Sequence, residues 1–207
     1  MKYLTLLLCA SLALVNFYGC STSGIDEATI KSITFGVVNK FPDHPNYLKE
    51  KILVAMHKNA IIESLSVKGQ LTRMVEKFLV AKGYRVIEVE SKEALKDGRA
   101  DMVIEIVPRK VFKTEGAFGY GFADRKSILG LMNNKPHSYV SMELTLSRKN
   151  SIRIITTQKE ERFSNIGVET MPDQWSQLEG SEKKLFEENL QENMAKAMDI
   201  LLSRLKI

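Results

Sequence analysis

Side chains able to do chemistry are few in this 207-residue chain, and their spacing matches no catalytic constellation. The three histidines are His44, His57 and His137. None stands four residues from another, and none belongs to the His-Glu-x-x-His pattern that sets two imidazoles on one helix face for zinc. His44 and His137 adjoin prolines and read as solvated loop residues. Gly116, Gly119 and Gly121 crowd the tract GAFGYGFADRKS. Asp124 occupies the place of the third glycine of a dinucleotide fingerprint, and no Gly-Lys-Ser/Thr closes a phosphate loop. A Gly-x-Ser-x-Gly nucleophile elbow is absent as well. Asp101, Glu105 and Glu143 lie on or beside expected strands, where outward-facing carboxylates explain them more simply than an acid–base pair. No metal site, cofactor or enzymatic activity is expected.

The exception is a cysteine. Of the two in the chain, Cys9 lies inside an apolar amino-terminal run and Cys20 comes directly after it. Lys2 supplies a positive charge, and the 15 residues from Tyr3 to Phe17 carry none. That length suits the apolar core of an export signal and is short of the ~20 residues a membrane span needs. Gly19-Cys20 then resembles the processing site of bacterial lipoproteins, with Phe17 and Tyr18 where that family has an aliphatic and a small residue. The resemblance implies removal of residues 1–19, acylation of Cys20 with palmitate-type chains, and a tether over 20–31. Ser21, which is not Asp, implies the outer membrane, with the domain facing the periplasm. Plain secretion and a retained apolar anchor are the competing readings.

Beyond the tether, residues 32–207 have the makeup of one globular domain. Hydrophobic residues make up 44% and charged residues 27% of the chain, both ordinary for a folded protein. No cysteine remains after Cys20, so the domain has no disulfide and no thiol chemistry. The formal charge of +5 suits either a plain hydrated surface or contact with anionic headgroups. Export argues against nucleic acid.

Hydrophobic periodicity orders the elements. Ser32–Asn39 reads as a strand, Phe41–Asn46 as a proline turn, and Lys51–His57 as a strand or short helix, with strand preferred. Val67, Leu71, Met74, Val75, Phe78 and Leu79 recur at helical spacing up to Lys82, and Gly83 stops the helix. Tyr84–Glu90 is a strand, and Ser91 caps a short helix over Lys92–Leu95. Met102–Val107 is a strand that Pro108 confines to an edge or ends. Tyr139–Leu146 alternates, turns at Lys149-Asn150-Ser151, and returns over Ile152–Thr157. Glu182–Leu205 is a closing helix with a stripe of Leu185, Leu190, Met194, Ala197, Met198, Leu201, Leu202 and Leu205. The expected fold class is α+β: a mixed or antiparallel sheet packed against two helices in a single domain.

Between Thr114 and Ser138 lies an apolar segment far longer than a hairpin loop of about 2 to 5 residues. Its Phe118, Tyr120, Phe122, Ile128, Leu129 and Leu131 are the expected partner or membrane contact, against the alternative that the segment folds back and completes the core. The loop Asn165–Gly180 holds the single tryptophan, Trp175, read as a core plug rather than a lid.

The helix end Phe78-Leu79-Val80-Ala81-Lys82-Gly83-Tyr84, the strand Ala100-Asp101-Met102-Val103-Ile104-Glu105-Ile106, the hairpin and the terminal helix resemble YajG-like periplasmic lipoproteins. More loosely they are similar to the amino-terminal fold of TolB and to the curli-secretion lipoprotein CsgG. The resemblance spans residues 32–205 in order of elements and brings no catalytic residue. It implies a non-enzymatic accessory or partner-binding lipoprotein of the cell envelope. The alternatives are a subunit of an outer-membrane secretion or surface-assembly complex and a periplasmic hydrolase. Expected partners are the membrane, through acyl chains on Cys20, and an envelope protein; a homo-oligomer is compatible with this.

Overall fold

The structure is a computed structural model that describes residues 32–51, 56–111, 117–126, 135–149, 151–205 and 207. The expected export signal, Cys20 and the tether lie outside the described residues.

Among the described residues, eight strands form one curled, mixed sheet, with two helices on one face, giving the α+β architecture expected. β1 is Thr34–Asn39, β2 Asn46–Lys51, β3 Met56–Ile61, β4 Arg85–Glu88 and β5 Met102–Pro108. β6 is Tyr120–Lys126, β7 His137–Arg148 and β8 Ser151–Asn165. Helix α1 covers Lys68–Ala81 and α2 covers Gly180–Arg204. Single 3-10 turns occupy Lys92–Leu95 and Trp175–Gln177.

β7 organises the sheet. Along one edge it pairs antiparallel with β8 over its whole length. Its other edge is shared between two strands. Residues 142–148 pair with β5, while 137–140 pair with β6. Two wings diverge from that fork: β5–β1–β4, whose strands are mutually parallel, and β6–β2–β3.

Local sequence explains α1 and its end. Leu71, Val75 and Leu79 are buried, with Met74 and Phe78 packed beside them. Gly83 then adopts φ +87°, a left-handed conformation that side-chain-bearing residues resist, and its N–H closes on the Val80 carbonyl at 2.9 Å. The chain turns so that Tyr84 meets the ring of Phe35 at 4.8 Å.

Three expectations need correction. The stretch Lys51–His57 is not one strand: β2 ends at Lys51 and β3 starts at Met56. Met56, the end of its apolar run, opens β3, and residues 52–55 lie outside the described residues. The return strand does not stop at Thr157 but continues to Asn165. Its second half is polar because β8 is an edge strand with one face turned to water, so apolar alternation is not needed there. In α2, Leu185 is 42% exposed while its neighbour Phe186 is fully buried. The buried stripe is thus set one residue later at the first turns, where the helix meets an aromatic cluster.

Pro108 is the last residue of β5, consistent with its lack of an N–H for ladder pairing. The main core lies between sheet and helices. It joins Phe35, Val37, Ile104 and Ile106 to Val140, Met142, Leu144 and Leu146, under Leu71, Val75 and Leu79 of α1 and Leu190, Met194, Met198 and Leu201 of α2.

Candidate functional site

The helix-covered face of the sheet is filled. Phe122, Trp175, Phe186 and Tyr47 form an aromatic cluster beneath the segment leading into α2. Trp175 stacks on Phe122 with centroids 5.5 Å apart and planes 11° apart, and meets Phe186 and Tyr47 edge-on. Polar contacts pin the segment in front of it. The Lys49 ammonium reaches the Met171 carbonyl at 2.7 Å and Asp173 at 2.6 Å. The Met171 N–H donates to buried Asp124 at 3.2 Å, and the Tyr47 hydroxyl donates to the Pro172 carbonyl at 2.8 Å. Burial, followed by the nearby carboxylates of Asp124 and Asp173, pushes the Tyr47 hydroxyl well above the usual phenol range, so it stays a donor. Trp175 therefore has the role of a plug.

The residues expected to form a contact loop are divided by the structure. Tyr120 and Phe122 are fully buried on β6, which corrects their assignment as contacts. The cause lies in the glycines. A Cβ at Gly121 would sit 2.3 Å from the Asn46 carbonyl oxygen, so only glycine lets β2 and β6 pair this closely. Tyr120 and Phe122 then point to the helix side, while Gly121 and Ala123 line the other face. The Tyr120 ring stacks on Phe41 at 5.5 Å, and its hydroxyl donates to the Pro42 carbonyl at 2.8 Å. Phe118 remains 44% exposed. Ile128, Leu129 and Leu131 lie outside the described residues, as does Cys20. The alternation of aromatics with Gly119, Gly121 and Ala123 was the sequence signal that a strand begins here.

The opposite, outer face carries two separate apolar covers. One lies over Leu48, Ala123 and Tyr139, where Val111 and Ala117 flank the bridge Lys110–Phe118. The other lies over Val38 and Val103, where Val89, Ala94, Leu95 and Ala100 come from the segment after β4. Between them β7 and β5 present polar side chains. Glu105 is buried, with the Lys40 ammonium at 2.5 Å and the Thr145 hydroxyl donating at 3.3 Å. Ser141 and Ser147 are also buried, and Glu143 pairs with Lys159 across to β8 at 3.5 Å.

This polar row ends in a basic cavity of about 80 Å³, lined by Leu95 and Ser147 together with Lys92, Lys96, Arg148 and Lys149. Glu93 also lines it, but its carboxylate is taken by Lys96 at 2.7 Å, which holds the Lys96 ammonium above its ordinary pKa. Asp97 is similarly taken by Arg99 at 3.1 Å. Lys92, Arg148 and Lys149 have no carboxylate partner among the described residues. The cavity is built by local rules. The Ser91 hydroxyl accepts the Glu93 N–H at 3.2 Å and starts the 3-10 turn. Gly98, at φ +71°, returns the chain beneath the Lys149 ammonium. The Lys149 N–H donates to the Asp101 carbonyl at 3.0 Å and fixes the hairpin end. Nothing in the sequence marked the cavity, because its cations come from two segments more than fifty residues apart.

The other chemical candidates have structural positions. His44 Nδ1 lies 3.0 Å from the Leu65 carbonyl, and His137 meets Phe163 edge-on at 5.5 Å. Asp101 accepts the Thr34 N–H at 2.9 Å. Among the described residues no three His, Cys, Asp or Glu side chains gather as metal ligands, and no helix is long and apolar enough to cross a membrane.

No protein-family model matches the chain, and no curated protein does. Solved structures do resemble it. One is a Xanthomonas campestris protein of family DUF330, 9% identical over 83% of each chain, with a TM-score of 0.47. Another is a hypothetical protein from Chlamydia trachomatis, 7% identical over 83% of this chain and 94% of that one, TM-score 0.43. A third is a neuraminyllactose-binding hemagglutinin homolog from Helicobacter pylori, 16% identical over 84% and 86%, TM-score 0.43.

Proposed function

We propose that the chain is a lipid-anchored, non-enzymatic accessory module of the bacterial cell envelope, held at the outer membrane with its domain in the periplasm. The observation that carries this reading is Cys20, placed directly after an uncharged apolar run and before a short polar segment. Acyl chains there would confine the domain to a membrane surface and raise its effective concentration near envelope partners.

The domain's build supports a binding role. Its sheet–helix interface is packed with side chains, and Trp175 plugs the end at Phe122. On the outer face Glu105 pairs with Lys40 and Glu143 with Lys159. Among the expected contact residues that are described, Phe118 is the one left exposed.

Metabolic labelling with an alkyne analogue of palmitate tests the anchor. Wild-type protein is expected to incorporate the label and fractionate with outer membranes, while Cys20→Ser loses both properties. Equal labelling of the two proteins overturns the reading. Crosslinking in intact cells then identifies the envelope partner.

A further inference from the structure

We infer that the basic cavity between the 3-10 turn Lys92–Leu95 and the end of β7 is a subsite for a phosphate group, presented by anionic lipid headgroups at the membrane surface.

Size limits the ligand. A cavity of about 80 Å³ is far below the several hundred Å³ of a site for a sugar, nucleoside or drug-sized ligand. It has room for a few water molecules at ~30 Å³ each, or for one compact anion. Charge selects between these. Lys92, Arg148 and Lys149 line the cavity without a carboxylate partner among the described residues, and Glu93 is already engaged by Lys96. Three uncompensated cations around one small space repel each other unless an anion joins them. Arg148 adds a planar fork that can donate two parallel hydrogen bonds to phosphate oxygens, and the lysines act as point charges. Leu95 and the aliphatic stems of the basic side chains make an apolar wall, and Ser147 adds a hydroxyl.

Position points to the source of the phosphate. Pairing registers place Phe35 opposite Met102, and Met102 opposite Arg148. The cavity thus lies at the end of the sheet where the chain enters β1 from the amino-terminal side. Between the lipid-bearing position and the domain lie the eleven residues 21–31, whose extended reach is at most about 40 Å. An anchor at Cys20 would keep this end within that reach of the membrane surface, where juxtamembrane cations meet anionic headgroups. This choice of source rests on the anchoring proposed above; phosphate binding itself does not.

Hydrogen exchange separates the two. Full-length protein is compared in nanodiscs of phosphatidylcholine alone, in nanodiscs containing phosphatidylglycerol, and in neutral maltoside micelles with or without inorganic phosphate. Slowed amide exchange confined to residues 92–99 and 147–149 is expected in the phosphatidylglycerol discs and on adding phosphate to micelles. The slowing should be lost in Lys92→Gln/Arg148→Gln and weakened by high salt. Both side chains are exposed, so the variant should keep its circular dichroism and melting temperature. Slowing by inorganic phosphate alone would keep the phosphate site and overturn the lipid source. Slowing in neither setting, or equal slowing in the double variant, would overturn the site.

Discussion

The indole of Trp175 lies flat on the ring of Phe122, 5.5 Å between centroids, and thereby joins the segment before α2 to the glycine-rich strand β6. Both aromatics come from stretches that read as loops, yet together with Tyr47 and Phe186 they close one end of the core. Phe122→Ala removes a fully buried ring at the centre of this cluster. It is expected to cost about 3–5 kcal/mol of folding stability, read as a lowered urea midpoint. Because Trp175 is the only tryptophan, its emission should shift to the red in the same variant before global unfolding. An unchanged midpoint and spectrum would refute the plug.

Glycine at 121 is a packing requirement, whereas glycine at 180 is not. A methyl group at 121 meets the Asn46 backbone at 2.3 Å, while one at 180 meets nothing within 4 Å. Gly121→Ala is expected to lose at least about 1–3 kcal/mol, since backbone atoms of β2 must move. Gly180→Ala, in the first turn of α2, should be neutral or stabilising by up to about 1 kcal/mol. Parallel thermal melts of the two variants check the contrast.

Stability should fall on the alkaline side. Burial raises the hydroxyl pKa of Tyr47, Tyr120 and Tyr139 in the folded state. Above the unfolded value of about 10, the unfolded chain releases these protons while the folded chain keeps them. The native state then binds more protons, so unfolding free energy decreases as pH rises. The contribution is fully present below about pH 10 and is lost progressively above it. Urea midpoints measured from pH 7 to 11 should show this slope, and Tyr47→Phe should reduce it.

Lys40 is held to neutralise Glu105. Removing the cation alone, as in Lys40→Met, strands a buried carboxylate beside Thr145 and should cost about 1–3 kcal/mol. Lys40→Met combined with Glu105→Gln should recover much of that loss, because no buried charge remains. A double-mutant cycle by chemical denaturation measures the coupling; additive losses would show the pair to be independent.

Elements with a clear local signature were legible from the residues. The helix over Val67–Lys82 appears with its glycine stop, and Ser91 caps the 3-10 turn over Lys92–Leu95 as its side chain allows. β1, β5 and β7 track their apolar and alternating runs. Sites of failure share a cause. β6 looked like a loop because Gly119 and Gly121 interrupt its aromatics, and Gly121 has meaning only beside Asn46 of β2. Phe186 replaces Leu185 in the buried stripe because an aromatic cluster from distant segments waits there.

By itself the sequence determined the uncharged amino-terminal run, the position of Cys20 at its end, the absence of other cysteines in the domain, and the α+β class. Each depends on residue type and near-neighbour spacing, which the chain carries directly. Only the tertiary structure decided that Tyr120 and Phe122 face inward, that Trp175 is a plug, and that Lys92, Arg148 and Lys149 share one cavity. Those facts arise because strand pairing and packing bring together residues whose separation along the chain holds no trace of their contact.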